Sequence, residues 1–178
     1  MDIKSYQALA MRTSPEGHDR VLNGCLGLIG ESGEIVDVIK KWLFQSGEAP
    51  TLPKDRLIEE CGDLFWYCME TITGVGEKCN EAWLHWKMMP SKNDRIEADA
   101  ARIAKEAALP FYMKFCEGDV FNTNYALMEQ IREIMLYTAD FLKKWCDCSP
   151  EDCMEKNIEK LRKRYPDGFD PERSMHRD

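Results

Sequence analysis

Leu57-Ile58-Glu59-Glu60-Cys61-Gly62-Asp63-Leu64-Phe65-Trp66-Tyr67 is the stretch on which the fold class turns. Its apolar residues recur at three and four positions, the period of a helix with one buried face, and Glu60 and Asp63 share a side flanked by Leu64 and Tyr67. The stretch reads as part of a helix over Asp55 to Ile72, capped at Asp55 or near Thr51. Upstream, Leu28-Ile29-Gly30-Glu31-Ser32-Gly33-Glu34-Ile35-Val36 repeats the arrangement. Glu31 and Glu34, three apart, lie on a face that carries Ile35 and Val38, within a helix from about Asp19 to Phe44 that ends at Gln45-Ser46-Gly47. Two such helices would set four acids opposite one another.

Outward from this pair the helical period continues, and no stretch reads as a strand. A short helix over Ile3 to Arg12 stops at Thr13-Ser14-Pro15-Glu16-Gly17. After Thr73-Gly74-Val75-Gly76 come helices expected at Glu77 to Met88, Asp94 to Cys116 and Asn124 to Trp145, with Pro110 kinking or dividing the second of these. The last helix starts at Ser149, with Pro150 at its first position and Glu151 and Asp152 at the positive end of the dipole, and stops at Tyr165-Pro166-Asp167-Gly168. The tail from Phe169 reads as extended or partly ordered. The expectation is an all-α bundle of one domain over residues 1–178, with an extra helical segment at about 77–144.

Lys+Arg 24 against Asp+Glu 32, a net charge of -8, argues against a nucleic-acid binder with a basic face. No run approaches the roughly 18 apolar residues that span a bilayer, and the charged N-terminus has no signal-peptide core, so the expectation is a cytoplasmic protein away from membranes. Eight cysteines without such a signal read mostly as reduced, buried thiols. Cys146, Cys148 and Cys153 lack the paired spacing and adjacent His of a zinc site.

Acidic pairs three apart are common on solvated faces, so spacing alone decides little. Gly30, Gly33 and Gly62 beside the acids are poor helix formers, each costing on the order of 1 kcal/mol, and the expectation is that they let the helices approach closely. At about 5 Å and an effective dielectric near 20, each like-charged pair repels by roughly 3 kcal/mol, so such a cluster requires a cation. Oxygen ligands without His indicate Mg²⁺ or Mn²⁺.

Glu31-x-x-Glu34 followed by Glu60-x-x-Asp63 resembles the signature of the MazG-like nucleotide pyrophosphohydrolases of the all-α NTP pyrophosphatase superfamily. Tyr6-Gln7 with Arg12-Thr13, the run Asp63 to Tyr67, and Asn157-Ile158-Glu159-Lys160-Leu161-Arg162-Lys163-Arg164-Tyr165-Pro166-Asp167-Gly168-Phe169 agree with it. The resemblance covers about residues 5 to 73 and 145 to 177, and departs at Gly30, where many relatives carry Glu. It implies hydrolysis of a ribo- or deoxyribonucleoside triphosphate between its α and β phosphates, giving a monophosphate and pyrophosphate. Glu31, Glu34, Glu60 and Asp63 would hold Mg²⁺, and one carboxylate would take the proton of the attacking water, with Glu59 an outer candidate. Asn157, Lys160 and Arg164, at i, i+3 and i+7, form a stripe able to present an amide and two cations to phosphates; Lys41 falls near the acid face. Trp42, Trp66 and Tyr165 are candidates for stacking on a base, although aromatics on amphipathic helices more often belong to the core.

Two rival chemistries find no support: no Glu-x-x-His serves a di-iron bundle, and His18-Asp19 is a lone dipeptide. A non-catalytic helical interaction protein, or a pseudoenzyme with a structural cation, stays open as the alternative, as does a homo-oligomer. The middle of the chain also reads as a degenerate copy of the first half. Shifted by seventy positions, Glu59 to Tyr67 lies over Glu129 to Tyr137 with Gln130 in place of a ligand, and near Glu106 the first motif has Leu109 for its second Glu. Two unrelated helices of similar period would give the same pattern.

Overall fold

Asp2 accepts a hydrogen bond from the Ser5 backbone N–H (2.8 Å) and so starts α1 (Ile3–Ala10), which tightens into a 3-10 turn over Met11–Thr13. Asp19 does the same for α2 (Arg20–Gln45), accepting from Leu22 N–H at 3.0 Å. The computed structural model describes residues 1–48, 50–80, 94–116 and 124–175. Among these no strand occurs, and the all-α expectation holds. The remaining helices are α3 (Lys54–Gly74), α4 (Ile96–Phe111), α5 (Asn124–Phe141), α6 (Pro150–Arg164) and α7 (Pro171–Met175). No described helix is long and apolar enough to cross a membrane.

Several boundaries differ from the sequence reading for identifiable reasons. No side chain caps α3: its cap position is Pro53, whose carbonyl accepts from Leu57 N–H at 3.1 Å, and Asp55 lies inside the first turn, where its charge complements the dipole. Glu77 to Asn80 do not begin a helix. Gln7 takes their backbone groups instead, donating to Glu77 O (3.2 Å) and accepting from Cys79 N–H (2.8 Å). The rest of the helix expected to Met88 lies outside the described residues. The tail forms the short α7 because Asp170 accepts from Glu172 and Arg173 N–H at 2.9 and 3.2 Å.

α4 runs through Pro110 without dividing and then widens into a π turn over Tyr112–Cys116. Proline at that place deprives the Glu106 carbonyl of its helical donor. The Gln130 side chain from α5 supplies the replacement, donating to Glu106 O at 3.3 Å. α5 likewise continues into a π turn, Leu142–Cys146, before Asp147 reverses the chain at φ 54° and Ser149 opens α6, accepting from Asp152 N–H at 3.1 Å.

α2 and α3 form an antiparallel pair whose close approach depends on Gly24 and Gly27. A Cβ on Gly24 would stand 2.2 Å from Thr71 Oγ1, and one on Gly27 would stand 2.1 Å from the Tyr67 ring. Gly30 and Gly33, expected in this role, have open space where a Cβ would go, so they do not set the helix spacing. Gly62 does admit a neighbour: a Cβ there would meet Asn157 of α6 at 3.0 Å. The core gathers Ile3 and Tyr6 of α1, Leu28 and Ile35 of α2, Leu64 and Phe65 of α3, Ile103 of α4, Ile131 and Met135 of α5 and Ile158 of α6. Seven cysteines are buried free thiols and Cys116 is an exposed one.

Candidate metal centre

Gly27 brings the two long helices together one turn before Glu31, and the antiparallel run then sets Glu31 opposite Glu60 and Asp63. Each of these three offers a carboxylate oxygen, and the three oxygens lie within 4.8 Å of one another. Glu60 is only 3% exposed. Burial, chiefly, pushes its carboxyl above the usual range; Asp63 and Glu59 add to the effect, and Arg56 and Lys160 oppose it. Glu34, the fourth expected ligand, is exposed and stands outside this group.

Two cations border the acids. Arg56, one turn before Glu60, places Nη2 2.6 Å from Glu60 Oε1 and Nη1 3.1 Å from Glu59 Oε2. Lys160 reaches in from α6 to pair with Asp63 Oδ2, and stands 3.3 Å from Glu59 Oε1. Glu59 therefore bridges the two cations at the rim. Glu60 Oε1 is buried and its charge is met by Arg56, without the alignment of a hydrogen bond. An oxygen-only donor set of three carboxylates fits a hard divalent cation.

The remaining expected site residues divide. Asn157 is buried and committed to protein partners: its Nδ2 donates to Asp63 Oδ1 at 2.9 Å, and its Oδ1 accepts from Tyr6 O–H at 2.9 Å. The stripe of one amide and two cations is thus split, the amide inside and Lys160 at the mouth. Arg164 lies over the Tyr165 ring, 5.6 Å from its centroid, and Tyr165 is buried beside Phe169. Lys41 is exposed and stands 2.6 Å from Asp37 Oδ2. Trp42 and Trp66 spend their indole N–H groups on chain connections, Trp42 on Pro50 O and Trp66 on Ala10 O, each at 3.0 Å. Burial raises the Cys61, Cys68 and Cys153 thiols well above their ordinary range, the reverse of what ligating thiolates need.

Two features escaped the sequence reading. Arg56 was legible from its spacing, four before Glu60 and three before Glu59, which is the helical ion-pair distance. Glu70, seven after Asp63 and so on the same face of α3, is fully buried in a polar network. Its Oε1 lies 2.6 Å from His18 Nε2 and accepts from Ser14 Oγ at 3.0 Å and Asn23 Nδ2 at 3.3 Å; its Oε2 accepts from Arg20 Nη1 at 3.0 Å. The network straps the loop between α1 and α2 onto α3, the helix that carries two of the three clustered acids.

Comparison of the chain with protein-family models, with curated proteins and with solved structures finds no match.

Proposed function

We propose that the protein is a cytoplasmic, Mg²⁺-dependent nucleoside triphosphate pyrophosphohydrolase, cleaving a ribo- or deoxyribonucleoside triphosphate to its monophosphate and pyrophosphate. The observation that carries the reading is the convergence of Glu31, Glu60 and Asp63, from two helices, into one oxygen cluster bordered by Arg56 and Lys160. The resemblance in motif to MazG-like enzymes supplies the reaction class. Bound at Glu31, Glu60 and Asp63, Mg²⁺ or Mn²⁺ would neutralise phosphate charge and lower the pKa of a water. Glu34, exposed one turn along α2 from Glu31 and outside the cluster, would serve as a base for the attacking water or join the ligands only by turning toward the bound ion. Lys160, half-buried at the mouth, would turn from Asp63 to the distal phosphates and stabilise the charge that builds on departing pyrophosphate, with Arg164 one turn further along α6.

The test is hydrolysis of a panel of triphosphates in ¹⁸O-labelled water with product identification. Label in the monophosphate is the expected result. A diphosphate and inorganic phosphate as first products would refute the connectivity. One observation favours the rival, a structural cation site in a non-catalytic helical protein: Arg56 and Lys160 already pair with Glu60 and Asp63. Absence of turnover across the panel, together with Mg²⁺-dependent stabilisation, would favour that rival.

A further inference from the structure

Tyr6 is wholly buried on α1, yet its hydroxyl ends at the acid cluster. It lies 2.9 Å from Asn157 Oδ1 and 3.2 Å from Gly62 O. Asn157 is 4% exposed and turns its Nδ2 to Asp63 Oδ1 at 2.9 Å. The alternative amide orientation would set Oδ1 against the Asp63 carboxylate, two acceptors face to face, and would leave the amide N–H₂ pointing at Tyr6. The Asp63 carboxylate, which can only accept, sets the orientation in which Asn157 donates to it, and the Tyr6 hydroxyl, donating to Oδ1, anchors the amide there. With Oδ1 of Asp63 held from inside, Oδ2 is the oxygen turned to Lys160. The missing Cβ of Gly62 allows α6 close enough for this, since a methyl there would meet Asn157 at 3.0 Å.

We infer that Tyr6 is a positioning residue for the cation site: through Asn157 it anchors the Asp63 carboxylate in the rotation that faces the acid cluster, so that Asn157 serves orientation rather than phosphate contact. This rests on the metal-site reading proposed above. Partners that orient a ligating group typically contribute 10–100-fold to metal affinity.

The test is Mn²⁺ binding to the full chain by calorimetry or electron paramagnetic resonance. Tyr6→Phe, which keeps the buried ring and removes the hydroxyl, is expected to weaken Mn²⁺ binding about tenfold, as is the near-isosteric Asn157→Leu. The double variant should bind no more weakly than Asn157→Leu alone, because Tyr6 acts only through the amide; a packing role for Tyr6 would make the two losses multiply. Wild-type affinity in Tyr6→Phe, or multiplying losses, overturns the inference while leaving the metal site standing. If Tyr6→Phe does not fold, unchanged binding in Asn157→Leu overturns it equally. Absence of Mn²⁺ binding in the wild type overturns the metal-site reading itself, and the inference with it.

Discussion

Along α2 and α3, Gly27 lies against Tyr67, and four residues on in the first helix and seven back in the second, Glu31 meets Glu60. Along α4 and α5, the Arg102 guanidinium lies 4.5 Å from the centroid of the Tyr137 ring, and the same steps of four and seven lead to Glu106 and Gln130. The two helix pairs share this spacing. Their chemistry diverges at one atom. Gln130 Nε2 donates to Glu106 Oε2 at 3.0 Å and also to Glu106 O, the carbonyl deprived by Pro110. An amide at that place makes a satisfied tie between helices; a carboxylate makes a cluster of like charge. Helix packing alone thus does not gather carboxylates, and the identity of the side chain at the crossing decides whether acids meet there.

The comparison breaks if both pairs respond alike to loss of their acids. Glu31→Gln, Glu60→Gln and Asp63→Asn are each expected to lower triphosphate turnover roughly a hundredfold or more, whereas Glu106→Gln should leave it within about twofold. Steady-state hydrolysis at saturating Mg²⁺ decides this. Next in size, Lys160→Met should reduce turnover about 10–100-fold with the fold retained, because Lys160 reaches the acids of the first pair from a third helix, α6, and can turn to a bound phosphate.

A smaller effect sharpens the comparison in the other direction. Gln130→Glu leaves the Glu106 carbonyl without its donor and brings a carboxylate against Glu106, so metal-free stability should fall by about 1–3 kcal/mol in denaturant unfolding. Glu133 stands at the position that matches Asp63, so Mg²⁺ should recover part of this loss. No recovery over millimolar Mg²⁺ would show that the second pair lacks the geometry of the first.

The smallest effect is electrostatic. Because the folded Glu60 carboxyl sits above its ordinary range, its charged form destabilises the fold, and the penalty is present at neutral pH and disappears as pH falls and the group is protonated. Metal-free Glu60→Gln should therefore melt above the wild type at neutral pH, with the difference vanishing in acid. A melting temperature below the wild type at neutral pH would mean that the Arg56 pair outweighs burial.

Much of this architecture is written in local pattern. The caps at Asp19 and Ser149 and the helical phase of Glu31, Glu60 and Asp63 follow from interactions within one or two turns, which a linear sequence displays directly. Glu34 was grouped with the other acids because helical spacing states only that it is near Glu31. Whether it faces α3 depends on where that helix lies, and Gly24 and Gly27 place it so that Glu31 faces the acids of α3 while Glu34 is exposed.

By itself, the sequence determined the all-α class, the position of most helices and the acid-rich faces of α2 and α3, because the periodicity and capping that specify them are short-range. Tertiary structure alone decided that three acids rather than four converge, that Gly24 and Gly27 rather than Gly30 and Gly33 bring the helices together, and that Asn157 turns inward to Asp63, anchored by Tyr6. The same holds for Gln7, whose side chain takes the backbone groups of Glu77 and Cys79, some seventy residues away, where the local pattern reads as a helix start. Such contacts join side chains far apart in the chain, and the free energy of burying a polar group is set by whatever partner the fold delivers to it, which no local pattern encodes.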